Sequence, residues 1–569
     1  MKTLDGIVLA ASERSEREPL RQAAERHGVK IFFGPDDPLQ RLIAAGRAFN
    51  AGVAVRVTGN APFIDPRLAD ELVVRHRAAV AACFSRAGGY PAGVVPEVFT
   101  LETFAKGGTS PAAFYREMLN DKRNCRLVTT NEPEGLSLKI NSRYDAALAE
   151  KIAARLGGAA NDYPALIAAL PDIVYGFLAA ADAPEKRHYN AMLEDLEAAA
   201  MSVTVRSVPG FLKMEVHNLC NIKCATCVHQ FNVVPKGEFA TLFKGFPPEN
   251  LLAYPLFKDR GDGFFSKQSV PLSPKLFGLM RELLFPYVRA VSFGVYGEVF
   301  LNHHLEEYVR LGKKDGLTVI IVTNGTLMRE QRARALVDAG LDVMAISFDG
   351  ASKEVFEDIR RGADYDKVAG NLKTVVRLRS ESGKKLPVIQ IQFTASNKNI
   401  HELPALVRLA AGWGVDIIDV SYCFITGFMD PADSLYFHQG KTRDTVSHAR
   451  LLAAGLGIRM TLSREMAMTV DGVVDDAACR FPWRIMDIGS NGNMQMCGCH
   501  YVESAGNILE TPVMEILNAP RYREVRRGLR KEAAMHPICQ GCRATASEPP
   551  NPAGFFAVPE MAAAPLYSR

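Results

Sequence analysis

Three observations assign the chain to the α/β class. Apolar strand-like runs of five to ten residues alternate with helix-like stretches of about 12 residues, the order that builds parallel sheets. From residue 290 onward the first three such runs end on polar residues, where parallel α/β folds place their ligands. Three cysteines sit on one short loop directly after a strand-like run, Phe211–Val216, which the rest of the chain is arranged to serve.

Length and composition set bounds. At 569 residues the chain is expected to form three or four domains. With 48% hydrophobic and 23% charged residues it resembles an ordinary soluble protein able to bury several cores. A net charge of +4 with dispersed Lys and Arg gives no reason to expect nucleic acid. No apolar run reaches the ~18 residues of a membrane span, and the start, Met1-Lys2-Thr3-Leu4-Asp5, is not laid out as a signal peptide. Seven of the eleven cysteines fall in metal-type spacings, which suits a reducing cytoplasm better than a disulfide framework.

In the amino-terminal third, Gly6–Ser12, Val29–Phe33 and Val53–Thr58 read as strands, and Glu16–His27 and Asp36–Asn50 as helices. A parallel α/β sheet is expected. The segments Val55–Pro66, Tyr90-Pro91-Ala92-Gly93 with Glu97–Thr100, and Leu138–Ser142 with Asp145 resemble the sugar cytidylyltransferases of the spore-coat-polysaccharide and CMP-KDO-synthetase type. The resemblance covers about residues 1–156 and implies a Rossmann-like nucleotidyltransferase-type domain over residues 1–160. Two departures weigh against nucleotidyl transfer. The family's opening strand and phosphate-cradling loop are absent, and Asn60 and Asn141 stand where the family has Asp. Hard divalent cations prefer charged oxygen ligands. A degenerate domain is expected, one that binds a nucleotide sugar or a partner, or only scaffolds. Residues 161–205, rich in Ala, Leu and Glu, read as a helical connector.

Cys220, Cys224 and Cys227 are spaced C-x3-C-x2-C. Three thiolates can ligate three irons of a cubic cluster and leave the fourth open. A structural zinc would need a fourth ligand, and His217 and His229 flank the loop. The loop resembles the cluster-binding loop of the radical S-adenosylmethionine (radical SAM) superfamily. That resemblance implies a (β/α)6 partial barrel over residues 206–455, a [4Fe–4S] cluster chelated by SAM, and an electron donor such as flavodoxin or ferredoxin. Thr226 stands where many relatives have an aromatic residue or Met.

Further strands are read at Ala290–Glu298, Leu317–Gly325, Val343–Gly350, Val388–Phe393 and Asp416–Ser421. Gly297 and Glu298 resemble the end of the superfamily's Gly-Gly-Glu motif, with Tyr296 replacing its first glycine. Asn324, Ser347, Asp349 and Arg360 lie at neighbouring strand ends, and with Gly297 and Glu298 they are the expected SAM contacts. Taken singly, such residues are more often turn or cap residues. Residues 228–285 form a weakly patterned segment, read as a substrate-facing loop or an insertion. Cys423, two residues past the last strand, is a candidate hydrogen-atom donor, set against the commoner role of a small buried hydrophobe.

A second cysteine set, Cys479, Cys497, Cys539 and Cys542, has gaps of 17, 41 and 2 residues. Four thiolates at such spacing suit zinc or a cubic cluster. The pattern resembles the shortened SPASM, or "twitch", extension of radical SAM enzymes. It implies a small α+β domain, a β-hairpin followed by a helix, over residues 456–548 with one auxiliary [4Fe–4S] cluster. Cys499, two residues from Cys497, is read as a bystander, with a substitute ligand as the alternative, and residues 549–569 as a loosely ordered tail.

The leading expectation is a cytoplasmic radical SAM oxidoreductase or epimerase acting on a small molecule. A sugar or nucleotide-sugar substrate, in glycan or natural-product biosynthesis, follows by analogy from the amino-terminal resemblance. The alternatives are a radical SAM enzyme that modifies a ribosomal peptide, and a zinc-binding scaffold. No nucleic-acid or membrane partner is expected.

Overall fold

Strands β1 (Val8–Ser12) and β2 (Lys30–Gly34) pair in parallel, from Val8↔Lys30 to Ser12↔Gly34, across the helix Arg17–Arg26. In this computed structural model the described residues are 2–78, 84–88, 90–91, 93–102, 125–128, 138–227, 269–294, 297–423, 431–463, 466, 470–471, 479–495, 504–534 and 539. They divide into two compact units, 1–200 and 201–569.

The first unit departs from the single parallel sheet expected. β3 (Val53–Arg56) pairs antiparallel with β5 (Glu97–Thr100), which pairs antiparallel with β4 (Phe84–Gly88). β4 in turn runs parallel to β6 (Cys125–Val128), giving the order β3-β5-β4-β6, separate from β1-β2 among the described residues. The return strand β5 gives β3 its partner: Val98 packs on Leu72 and Val73 of the helix Pro66–Ala78, and Val53 and Val55 close over that cluster. A chain reading sees only local periodicity, and the β3–β5 pairing spans some forty residues of sequence.

Helices Arg143–Leu156, Tyr163–Ala180 and Ala183–Ala199 also belong to this unit, each started by a side-chain cap from Ser142, Asp162 and Asp182. Tyr163–Ala180 is long and apolar enough to pass a length-and-composition test for a membrane span. Its buried residues Tyr163, Leu166, Leu170, Ile173, Val174 and Leu178 follow the stripe of an amphipathic helix packed on one side.

The second unit is built on a ten-stranded sheet. β7 (Phe211–Met214), β8 (Ala290–Phe293), β9 (Thr318–Thr323), β10 (Val343–Ser347), β11 (Val388–Ala395) and β12 (Ile417–Tyr422) all run parallel in spatial order. A seventh parallel strand, β13 (Arg459–Leu462), extends the row beyond the six expected. At four residues, with two of them polar, it carries too weak a pattern to be read from sequence. At the other edge β14 (Ile485–Ile488) runs parallel to β7. β15 (Asn493–Gln495) and β16 (Ser504–Asn507) then follow antiparallel, a hairpin of the kind the resemblance implied. The α/β class and a large, mostly parallel sheet are therefore as expected.

The two faces of this sheet differ. Leu212, Val291, Val319, Ile321, Met344, Ile389 and Ile418 are fully buried on one face. The helix Leu305–Lys314 lies there: a side chain at Gly312 would come within 2.9 Å of Val319. The opposite face carries Lys213, Ser292, Gln390, Gln392, Asp419 and Asp487, by register and alternation.

Three side chains strap the stretch after residue 201 to the carboxyl-terminal helices. Asn518 exchanges two hydrogen bonds of 2.8 Å with the backbone of Val205. Trp483 Nε1 donates to Ser202 O at 2.8 Å. Arg526, fully buried between Trp483 and Tyr522, donates to Leu517 O at 2.7 Å, Pro482 O at 2.9 Å and Val203 O at 3.3 Å.

Candidate active site at the strand ends

The cysteine loop leaves the carboxyl end of β7 and is docked on three neighbours. Glu298 N donates to Leu219 O at 2.8 Å, and Lys223 N and Ala225 N donate to Arg361 O and Ile359 O at 2.8 and 2.7 Å. Gly297 is required by this docking, since a side chain there would lie 1.8 Å from His217 O and 2.7 Å from Leu219 O.

The loop's thiols meet two side-chain donors. Asn324 Nδ2 lies 3.5 Å from Cys220 Sγ and 3.0 Å from Asn221 Oδ1. Its Oδ1 accepts from Thr326 N at 2.9 Å and Thr326 Oγ1 at 2.7 Å, so the amide orientation is fixed. Arg360, just past the helix Lys353–Ile359, places Nη1 3.8 Å from Cys224 Sγ and Nη2 2.7 Å from Asp349 Oδ2. Arg360 Nε is buried and finds no acceptor among the described residues. Asp349 Oδ1 accepts from Thr394 N at 2.7 Å.

Glu298 uses both oxygens within the protein. Oε1 accepts from Thr323 Oγ1 at 2.6 Å and Phe300 N at 3.2 Å, and Oε2 accepts from Asn324 N at 2.8 Å. Burial raises the carboxyls of Glu298 and Asp349 above their usual range, against the pull of these donors and of Arg360. Burial likewise pushes the Cys220 thiol up to about 11 and raises Cys224, with Arg360 acting in the opposite sense on the latter.

The expected residues are thus gathered at one rim: the three cysteines with Asn324, Glu298, Gly297, Asp349 and Arg360. Ser347 ends β10, half-buried, at the same rim. Cys423 is buried just beyond β12, its N–H donating to Ala395 O at 2.8 Å. Sequence reasoning missed Asn221, whose Nδ2 donates to Thr326 Oγ1 at 2.8 Å, and Thr323; an Asn inside a loop carries no signal of its own. Of the second cysteine set, Cys479 is half-buried and Cys539 buried. Cys497, Cys499 and Cys542 lie outside the described residues, as do His229, Tyr296, residues 228–268 of the loop segment and the tail.

The donor set fits an iron–sulfur cube better than a single zinc. His217 is committed elsewhere: Nδ1 accepts from Leu219 N at 3.0 Å and Nε2 pairs with Ser269 Oγ at 3.2 Å. Among the described residues no three of His, Cys, Asp and Glu converge as a single-ion site. Three disulfide-free thiols beside an amide and a guanidinium suit a larger anionic group whose sulfurs accept hydrogen bonds.

Comparison with known proteins agrees. Residues 214–388 match the model of the radical SAM superfamily, and residues 479–543 that of the SPASM iron–sulfur cluster-binding domain. A cofactor-modifying protein for tungsten-containing aldehyde ferredoxin oxidoreductase from Pyrococcus furiosus is 25% identical over 215 residues, 37% of this chain and 51% of that protein. An AdoMet-dependent heme synthase from Methanosarcina barkeri is 27% identical over 275 residues, 44% of this chain and 76% of the synthase. The spore coat polysaccharide biosynthesis protein SpsF of Bacillus subtilis is 30% identical over 76 residues, 13% of this chain and 32% of SpsF. The chain thus spans about half the length of the first of these relatives. The two domains imply a [4Fe–4S] cluster with SAM, and auxiliary iron–sulfur centres. The chain carries a radical SAM domain followed by a SPASM iron–sulfur cluster-binding domain.

Proposed function

We propose that the chain is a radical SAM enzyme that oxidises or epimerises a sugar or nucleotide sugar. Cys220, Cys224 and Cys227 would hold the cluster, which when bound would supply the electron for reductive cleavage of SAM and so the means of removing a hydrogen atom from the substrate. The observation that carries the reading is the rim itself, where Asn324 and Arg360 aim N–H groups at the sulfurs of Cys220 and Cys224. Gly297 holds the cysteine loop against the end of β8, and Glu298 locks that end to β9. Arg360 keeps a buried Nε without an acceptor, and this donor suits the carboxylate of SAM. Ser347, Asp349 and Asn324 complete the SAM rim.

Net oxidation of an alcohol needs a one-electron acceptor. Cys479 and Cys539, with Cys497 and Cys542, are the ligands we assign to an auxiliary cluster in that role. Cys423 is the hydrogen-atom donor if the outcome is epimerisation. The amino-terminal unit we read as a degenerate cytidylyltransferase-like domain. Its support is the short likeness to SpsF and the hydrogen bond of 2.8 Å from Asn60 Nδ2 to Asn141 Oδ1, which joins two amides where metal-binding carboxylates are expected.

The test is anaerobic reconstitution with iron, sulfide, SAM and dithionite against a panel of nucleotide sugars. Deuterium carried from a labelled substrate into 5′-deoxyadenosine identifies the carbon attacked. Replacing Cys220, Cys224 and Cys227 together by Ala removes about four irons per chain and abolishes SAM cleavage. A variant that keeps both defeats the assignment.

A further inference from the structure

The sheet face opposite the helices is polar and partly open. Lys213, Gln390 and Gln392 are half-buried there, where the apolar face is sealed. Register carries the row across the sheet: Asp487 lies beside Lys213, and Gln392 beside Asp419.

Two carboxyl groups at this face lack the partners that buried polar groups normally have. Asp487 is 2% exposed, and among the described residues neither of its oxygens has a hydrogen-bond partner. Glu215, the residue after β7, accepts at Oε2 from Ser490 N at 3.1 Å and Ser490 Oγ at 3.0 Å. Its Oε1 is buried with no partner among the described residues. β-alternation sets Glu215 on the same side as Lys213. A buried acceptor without a donor costs the full desolvation of that group, so the fold keeps these oxygens for a donor that arrives from outside.

The neighbours say what kind of donor. Burial raises the Asp487 carboxyl above its usual range, against the favourable positive charge that Lys213 already supplies beside it. A cationic ligand entering beside Asp487 meets that ammonium and is repelled. A hydroxyl suits both groups, since it donates to the carboxylate and accepts from the ammonium. Gln390 and Gln392 offer further neutral donors and acceptors on the same face.

We propose that this face is the substrate subsite and that it takes a neutral polyhydroxylated group, a sugar or cyclitol. Its hydroxyls donate to Asp487 and Glu215 and accept from Lys213. The inference rests on the proposed radical SAM function and names the substrate chemistry of that site.

The experiment uses the full chain, reconstituted anaerobically with SAM, and titrates it calorimetrically with myo-inositol, methyl glucoside and UDP-glucose. Spermidine and an Ala-Ser-Gly tripeptide serve as cationic and peptide probes. At least one polyol is expected to bind, and Asp487→Leu and Glu215→Gln each weaken that binding about tenfold, the loss of one hydrogen bond. Asp487→Leu also raises the thermal midpoint, because it removes an unpartnered buried carboxyl; a purely structural Asp487 would give the reverse. Iron and sulfide contents equal to wild type establish that each variant is folded. The proposal is overturned if no polyol binds, if both variants bind a polyol as wild type does, or if spermidine or the tripeptide binds in preference. SAM cleavage by the wild type under dithionite is read in the same samples. Its absence defeats the radical SAM reading, whereas cleavage without polyol binding defeats only the subsite.

Discussion

Arg360 Nη2 sits 2.7 Å from Asp349 Oδ2 while Nη1 of the same guanidinium reaches to 3.8 Å from Cys224 Sγ. One largely buried cation therefore answers a carboxylate and a thiol at once. Arg360→Met leaves Asp349 buried without its counter-charge, a loss of about 3–5 kcal/mol for a broken buried pair. Arg360→Lys restores the charge but not the fork, and recovers only part of that loss. Urea unfolding measures both. Loss of the donor at Cys224 also moves the cluster's midpoint potential to a more negative value, which an EPR-monitored redox titration of reconstituted protein reads. A potential equal to wild type in Arg360→Met would mean that the guanidinium serves Asp349 alone.

Gly297 faces backbone, not side chains that can move aside. A methyl group there lies 1.8 Å from His217 O, so either the turn after β8 or the cysteine loop must shift. Gly297→Ala is expected to lower stability by about 1–3 kcal/mol or more and to retain less iron after reconstitution than wild type. Iron and sulfide analysis beside a denaturation curve gives both numbers, and full iron retention would show that the loop is held without this contact.

Burial raises the Glu215 carboxyl from 4.5 to about 7. Below pH 4.5 the group is protonated both folded and unfolded, and it contributes nothing to pH dependence. Between about 4.5 and 7 the folded chain holds a proton that the unfolded chain has lost, so stability falls as pH rises through that window. The whole span is worth up to roughly 3 kcal/mol. Glu215→Gln should flatten this part of the profile, as followed by unfolding at pH 5, 6 and 7. An identical slope in the variant would assign the titration to another buried carboxyl, such as Asp487.

Asn60 and Asn141 form an amide pair with no charge, N–H to O at 2.8 Å. Exchanging both for Asp replaces that bond by two facing carboxylates, which costs about 1 kcal/mol at an exposed site. Added Mg²⁺ or Mn²⁺ then recovers the loss in the variant and leaves wild type unchanged. Thermal melts with and without the cation decide it. A melt of the double variant that ignores the cation would show that the neighbouring ligands are also missing.

What the sequence disclosed was mostly local. The C-x3-C-x2-C loop, Gly297-Glu298 and the Asn324 and Asp349 strand ends were legible because each sits at a fixed offset from an apolar run, and period and spacing survive in one dimension. Pairing across long separations was not legible. β3 finds β5 instead of continuing a parallel sheet, and β13 is four residues long with a polar pattern. Asp487 lies in the apolar stretch Ile485–Ile488, where one acidic residue reads as a solvent-facing position. Only the register against Lys213 and the missing partners mark it as something else. The straps from Asn518, Trp483 and Arg526 are likewise invisible in sequence, since their acceptors are backbone carbonyls some three hundred residues away for Ser202, Val203 and Val205.

The parallel pairing of β14 with β7 has a mechanical consequence. β14 is also the first strand of the antiparallel hairpin, so the strand that leads into one cysteine set is welded to the strands that lead into the other. The parallel strands and the hairpin therefore belong to one continuous sheet, hydrogen-bonded from β7 to β14. Cutting the polypeptide after β13 would strip β7 of its flank and leave a raw, sticky rim of unsatisfied amides and carbonyls. The hairpin is thus a continuation of the parallel sheet past β7, and the parallel strands made without it should precipitate rather than merely lose turnover.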